Sequence, residues 1–138
     1  MWGLKPRNKE QVFAINLLNN PEIPIVTLVG KAGCGKTLLA IAAGLDQVLE
    51  KRMFKKLIVS RPIQPLGKDI GFLPGTMEEK MRPWLMPIQD NIDFLLNGES
   101  KSMEMFFEDG TIQVEALTYI RGRSISNAFI IIDEAQNL

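Results

Sequence analysis

The chain contains no histidine and a single cysteine, Cys34. Without histidine, neither a Ser–His–Asp nor a Cys–His catalytic set can be assembled from its residues. A zinc site, which draws mainly on Cys and His, is disfavoured for the same reason. One cysteine forms no disulfide within the chain, which fits a cytoplasmic setting. No run approaches the roughly 18 to 20 apolar residues of a membrane span, so no membrane partner is expected. Residues Met1 to Lys9 are polar and lack the apolar stretch of a secretory leader, so none is expected. Net charge is also lacking: 16 Lys and Arg balance 16 Asp and Glu. The balance is uneven along the chain, with 11 basic and 5 acidic residues in 1–70 and the reverse in 71–138. A polyanion would therefore meet a local basic surface rather than bulk charge.

What is present reads as one domain over residues 1–138, with no repeat, low-complexity tract or linker. Asn8 is a good N-cap, with Gln11 three residues on as in a capping box. Val12, Ile15, Leu17 and Leu18 then recur at helical spacing until Asn19-Asn20-Pro21. Ile25 to Val29 reads as a buried strand, followed by a glycine-rich turn and a helix from Lys36 to about Glu50. Lys51, Arg52, Lys55 and Lys56 follow that helix, where cations complement its dipole. Leu57 to Ser60 is a second short buried strand. Arg61 to Gly75 is loop-like, rich in proline and glycine, and long enough to suit a functional loop. Thr76-Met77-Glu78-Glu79 opens a helix that Pro83 and Pro87 are expected to break or kink before Ile88 to Leu96 resumes. Residues 97–110 read as a surface excursion. Ile112 to Leu117 alternates as a strand, and Ala128 to Ile132 is a third buried strand ending in Asp133-Glu134. Strands alternating with helices imply a parallel sheet, with ligands at the carboxyl ends of its strands.

Two motifs fall at such ends. Gly30-Lys31-Ala32-Gly33-Cys34-Gly35-Lys36-Thr37 fits the Walker A pattern G-x-x-x-x-G-K-[ST]. Glycines let the backbone wrap a phosphate with inward N–H groups, and the helix from Lys36 adds its N-terminal dipole. Lys36 is placed to reach the β- and γ-phosphates of ATP, and Thr37 to ligate Mg²⁺. An apolar strand ending in two carboxylates, Phe129 to Glu134, is the Walker B complement. There Asp133 would hold the Mg²⁺ shell and Glu134 would act as general base on the attacking water. A glutamate beside the Mg²⁺ aspartate points to the RecA-like and helicase-like P-loop proteins. Cys34, in the loop at a helix N-terminus, is either a thiol of raised reactivity or a small filler.

Asp133-Glu134-Ala135-Gln136 resembles the D-E-x-Q motif of superfamily 1 helicases. The flanking segments Lys5 to Gln11, Ser60-Arg61-Pro62, Gly67 to Gly75 and Tyr119 to Ser124 look like those of the PhoH-like ATPase family. Within it they resemble the kind in which a PIN ribonuclease domain precedes the PhoH domain. The resemblance covers nearly the whole chain. It implies a three-layer α/β P-loop fold, ATP hydrolysis coupled to RNA binding or unwinding, and often a homo-oligomeric ring. It also implies that Gln11 reads adenine, although Gln11 would serve equally as a helix cap. Gln136 would couple the γ-phosphate to the nucleic-acid side. Arg61, Lys68, Arg121 and Arg123 would meet RNA phosphate, the alternative being loop charge or ion pairs within the chain. Two departures from the family stand out. No segment is long enough to be a PIN domain, so no nuclease activity is expected. The chain also stops just after its D-E-A-Q motif, without the family's later sensor and arginine motifs, so the sheet is expected to be incomplete at its C-terminal side. Two other functions stay open, a nucleotide-binding regulatory or assembly module with little turnover and a small-molecule kinase, the latter leaving D-E-A-Q and the long basic loop without a purpose.

Overall fold

A computed structural model of the chain describes residues 5–31, 33–62, 77–96, 100–116 and 125–137. Among these residues three parallel strands form a sheet, β1 (Lys56–Arg61), β2 (Ile112–Ala116) and β3 (Ala128–Ile132), in the order β2-β1-β3. The register sets Leu57 beside Ile112 and Phe129, and Val59 beside Val114 and Ile131. Side chains alternate along a strand, so these six share one face. Helix α1 spans Lys9–Leu18, and α2 spans Lys36–Leu45 and runs on as a wider π-turn over Asp46–Glu50. Helices α3 (Met77–Leu95) and α4 (Ser100–Glu108) separate β1 from β2. The fold is an α/β P-loop type with a parallel sheet and flanking helices, incomplete relative to a full P-loop domain.

The core joins Ile41 and Leu45 of α2, Ile88 and Ile92 of α3, and Leu57, Val59, Ile112 and Ile131 of the sheet. Phe54 packs edge-on against Phe129, with ring centroids 5.8 Å apart. Gly44 is what lets α2 lie so close. A Cβ there would stand 2.6 Å from Leu57 Cδ1 and 3.0 Å from Phe129 Cδ1. Gln47 is buried on the π-turn, and its amide donates to the Leu18 carbonyl (2.7 Å), tying the end of α2 to the end of α1. Lys51 pairs with Asp46 at 3.4 Å at the end of the same turn. The opposite sheet face is unevenly covered. Ile58 and Ser60 are buried, whereas Ile130 and Ile132 on the outer strand are 45% and 41% exposed.

Three expectations are corrected. Ile25 to Val29 belongs to no strand of the described residues. Val26 and Leu28 are half-buried, Leu28 against the core, while Ile25 and Val29 are 82% and 90% exposed. β-Branched residues suit a strand, but a strand is made by pairing, and among the described residues no segment pairs with the outer edge of β3. Pro83 and Pro87 do not break α3, which runs through both. Each interior proline costs about 3 kcal/mol, yet burying Ile88, Ile92, Leu95 and Leu96 returns about 1.5–3 kcal/mol apiece. Prolines four apart also place both missing N–H groups on one side of the helix, and Pro87 lies on the exposed side. The supposed excursion over 97–110 contains α4, held to the core by the half-buried Phe106 and Phe107. It ends at Gly110, in left-handed backbone (φ +81°). There the hydroxyl of Thr111, and then its backbone N–H (2.9 Å to Oδ1), hold the Asp109 carboxyl below its usual range.

Candidate functional site

The glycine-rich loop leads directly into α2. Gly33 and Gly35 have φ of +80° and +90°, in the left-handed region, and Gly35 is the N-cap of the helix. A side chain would be strained at either position. Gly30 is constrained differently, because a Cβ there would meet Cys34 Sγ at 2.9 Å. The Lys36 ammonium folds back over the loop. It donates to the carbonyls of Gly30 (2.6 Å) and Lys31 (2.9 Å) and lies 3.7 Å from Cys34 Sγ. Cys34 is exposed. Ala32 lies outside the described residues.

Gln11 joins this loop to α1. Its backbone N–H is capped by Asn8 Oδ1 (2.9 Å), its Oε1 accepts from the Arg7 N–H (2.7 Å), and its Nε2 donates to the Cys34 carbonyl (3.1 Å). Both ends of the amide are thus used within the chain. The capping contact the sequence implies is present, together with a link to the loop that spacing alone does not reveal.

The second half of the site stands at the carboxyl ends of β1 and β3. The Asp133 N–H donates to the Ser60 carbonyl (2.8 Å), which extends the ladder one residue beyond β3. Glu134 then turns sharply, with φ +55°, a conformation a non-glycine residue keeps only where its surroundings impose it. The Thr37 hydroxyl donates to Asp133 Oδ1 at 2.7 Å, so the fold brings together two side chains 96 positions apart. Arg61 lies over both carboxylates, with Nε 3.8 Å from Asp133 Oδ2 and one terminal nitrogen 3.7 Å from Glu134 Oε1. Gln136, on a short 3₁₀ turn over Ala135–Asn137, donates through Nε2 to Glu134 Oε2.

Arg61 is therefore in ion pairs within the chain, the alternative to an RNA contact raised by its sequence position. What the sequence does not state is its pairing with the two acids. The adjacency of β1 and β3 carries that information, since any long cation closing β1 would reach the end of β3. Lys68, Arg121 and Arg123 lie outside the described residues. No group of three Cys, Asp or Glu stands close enough to hold a metal among the described residues. The Thr37 hydroxyl and the Asp133 carboxylate are nevertheless oxygen donors of the kind that could hold a small, hard cation.

Residues 3–138 match the family described as PhoH-like protein. The chain belongs to the PhoH-like family. This is generally a P-loop ATPase family. Protein PhoH2 of Bacillus subtilis (strain 168) is 58% identical over 140 residues, covering 100% of this chain and 32% of that protein. Protein PhoH2 of Thermobispora bispora is 45% identical over 139 residues, covering 100% of this chain and 31% of that protein. A PhoH-like protein of Bacillus subtilis is 39% identical over 109 residues, 79% of this chain and 33% of that protein. The chain thus spans about a third of the length of these PhoH-like relatives.

A cleft of about 450 Å³ opens at the opposite end of β1, with Arg52, Phe54, Lys55 and Phe106 in its lining. It is remote from the loop and the carboxylates, and the P-loop chemistry does not use it. No helix among the described residues is long and apolar enough to cross a membrane.

Proposed function

We propose that this chain is the nucleotide-gripping part of a PhoH-like ATPase that couples ATP hydrolysis to RNA. The observation that carries the reading is the contact of Thr37 with Asp133, which unites the helix after the loop and the strand-end acids at one point. Gly30 to Thr37 would wrap the β- and γ-phosphates with backbone N–H groups, at the N-terminus of a helix whose dipole favours an anion. Lys36 would trade its two loop carbonyls for phosphate oxygens. Thr37 and Asp133 would hold Mg²⁺, which would supply positive charge against the phosphates. Glu134 is one residue beyond and would take a proton from the attacking water. Gln136, in contact with Glu134, would link that base to whatever moves the turn after β3. Gln11 would reach adenine only after releasing Arg7 and Cys34.

RNA as the coupled partner rests on the family resemblance and on the D-E-A-Q turn. A ring of copies rests on the resemblance alone. Titration of a fluorescent ATP analogue in the presence of Mg²⁺ tests the nucleotide site. Lys36→Ala should weaken binding by about 10- to 100-fold, the loss of charge-assisted bonds to phosphate. Equal affinity in the variant and the parent would remove the assignment of the loop.

A further inference from the structure

The four carboxylate oxygens of Asp133 and Glu134 each have a partner. Thr37 donates to Asp133 Oδ1 and Gln136 to Glu134 Oε2, while Arg61 faces Asp133 Oδ2 and Glu134 Oε1 at 3.8 and 3.7 Å. A single guanidinium therefore stands between two adjacent anions, at the position where their charges would otherwise repel. Its fork geometry suits that role, because separate nitrogens face separate carboxylates. Arg61 is anchored for it. Ser60, the preceding residue, is fully buried in the central strand, and its carbonyl holds the Asp133 N–H. The side chain of Arg61 is only 27% exposed, so water screens these pairs less than at an open surface.

We propose that Arg61 is a positioning residue that stands in for the divalent cation at Asp133 and Glu134, and that it gives up Asp133 when the cation binds. This rests on the reading of the site as one for a Mg²⁺–nucleotide complex. The physical reason is that a doubly charged ion on Asp133 would sit within a few ångströms of the guanidinium, and like charges at that distance repel. In the cation-free chain Arg61 keeps the acids from repelling an incoming triphosphate. In the loaded chain its release of Asp133 frees that carboxylate for the metal, while Arg61 keeps its contact with Glu134. Arg61 therefore makes nucleotide binding less dependent on the cation than bare acids would.

The test is the ratio of affinities for a fluorescent ATP analogue measured with Mg²⁺ and with EDTA, on the 138-residue chain. Arg61→Gln should bind more weakly in EDTA, where the acids are uncompensated, and at least as tightly in Mg²⁺, where no ion pair has to be broken. The ratio should rise about three- to tenfold, the scale of two partly exposed ion pairs. Arg61→Met, which keeps the apolar stem, should raise it equally, and Arg61→Lys should bring it back toward the parent value. A purely structural loss would lower both affinities together and leave the ratio in place. An unchanged ratio in Arg61→Gln and Arg61→Met, with the parent binding and Lys36→Ala binding more weakly, overturns the proposal and spares the nucleotide site. Failure of the parent to bind in either buffer overturns both.

Discussion

Asp133 and Glu134 are neighbours in sequence with different surroundings, and their substitutions should separate accordingly. Asp133 meets the Thr37 hydroxyl beside the helix that follows the loop, whereas Glu134 is turned away by its left-handed backbone and held by Gln136. Glu134→Gln keeps the shape and removes only the base. It should leave Mg²⁺-dependent nucleotide binding within about twofold of the parent, while hydrolysis falls by about 10²- to 10⁴-fold, the usual weight of a general base. Asp133→Asn should instead weaken binding in Mg²⁺ and leave binding in EDTA nearly unchanged. Isothermal titration in both buffers, with a phosphate-release assay, checks the pair. Identical binding by the two variants would mean that the acids share one role. The pattern of residues pointed to both acids, the loop and Lys36, and the fold sets Thr37 of that loop against Asp133. The pattern was not enough to show that Lys36 rests on Gly30 and Lys31 or that Arg61 spans the acids, because those contacts depend on how β1 and β3 lie side by side.

Among the elements, the packing of α2 on the sheet is decided by Gly44. In an exposed helix, Gly→Ala would stabilise by about 1 kcal/mol. Here the added methyl would arrive 2.6 Å from the Leu57 side chain, which is fully buried and shares the core with Ile41 and Leu45. Overpacking of a filled core costs about 1–3 kcal/mol, so the sign reverses. Gly44→Ala should lower the urea midpoint by an amount equal to about 1–2 kcal/mol, and because α2 carries Lys36 and Thr37 it should also weaken nucleotide binding. A midpoint at or above that of the parent would show that Leu57 has room to shift. The elements were unequally legible in the sequence. Strand β3 and the start of α1 have unambiguous local signals, an apolar run ending in charge and an Asn cap, and both lie where those signals put them. The helix through Pro83 and Pro87 and the helix at Ser100–Glu108 were hidden, since the burial of Ile88, Ile92 and Phe106 that holds them comes from partners distant in sequence.

At the scale of the whole molecule, the question is how much catalysis 138 residues can support. Lys36 and Arg61 are the cations seen in contact with the loop backbone and with the acids among the described residues. Lys36 can follow a phosphate. Arg61 is drawn to Glu134 even when a cation takes Asp133, and a guanidinium held there does not also offset charge spreading over the γ-phosphoryl oxygens. In P-loop enzymes an arginine supplied to that charge is worth on the order of 10³ to 10⁵ in rate. Among the described residues the sheet also ends at β3, with Ile130 and Ile132 partly bare and Ile25 and Val29 bare before the loop, so the strand that carries the acids is held from one side. A site held in this way binds more readily than it orients, and misplacement by 1 Å is enough to cost about 10²-fold in rate. This chain is therefore expected to bind the nucleotide yet turn it over slowly, at least about 10³-fold below a full-length PhoH-like relative such as Protein PhoH2 of Bacillus subtilis, of which it matches 32%. Steady-state phosphate release by both proteins, with and without single-stranded RNA, makes the comparison. Turnover by the 138 residues at the rate of the longer protein, stimulated by RNA to the same degree, would show that Arg61 leaves Glu134 as well during the reaction and serves the phosphoryl group itself.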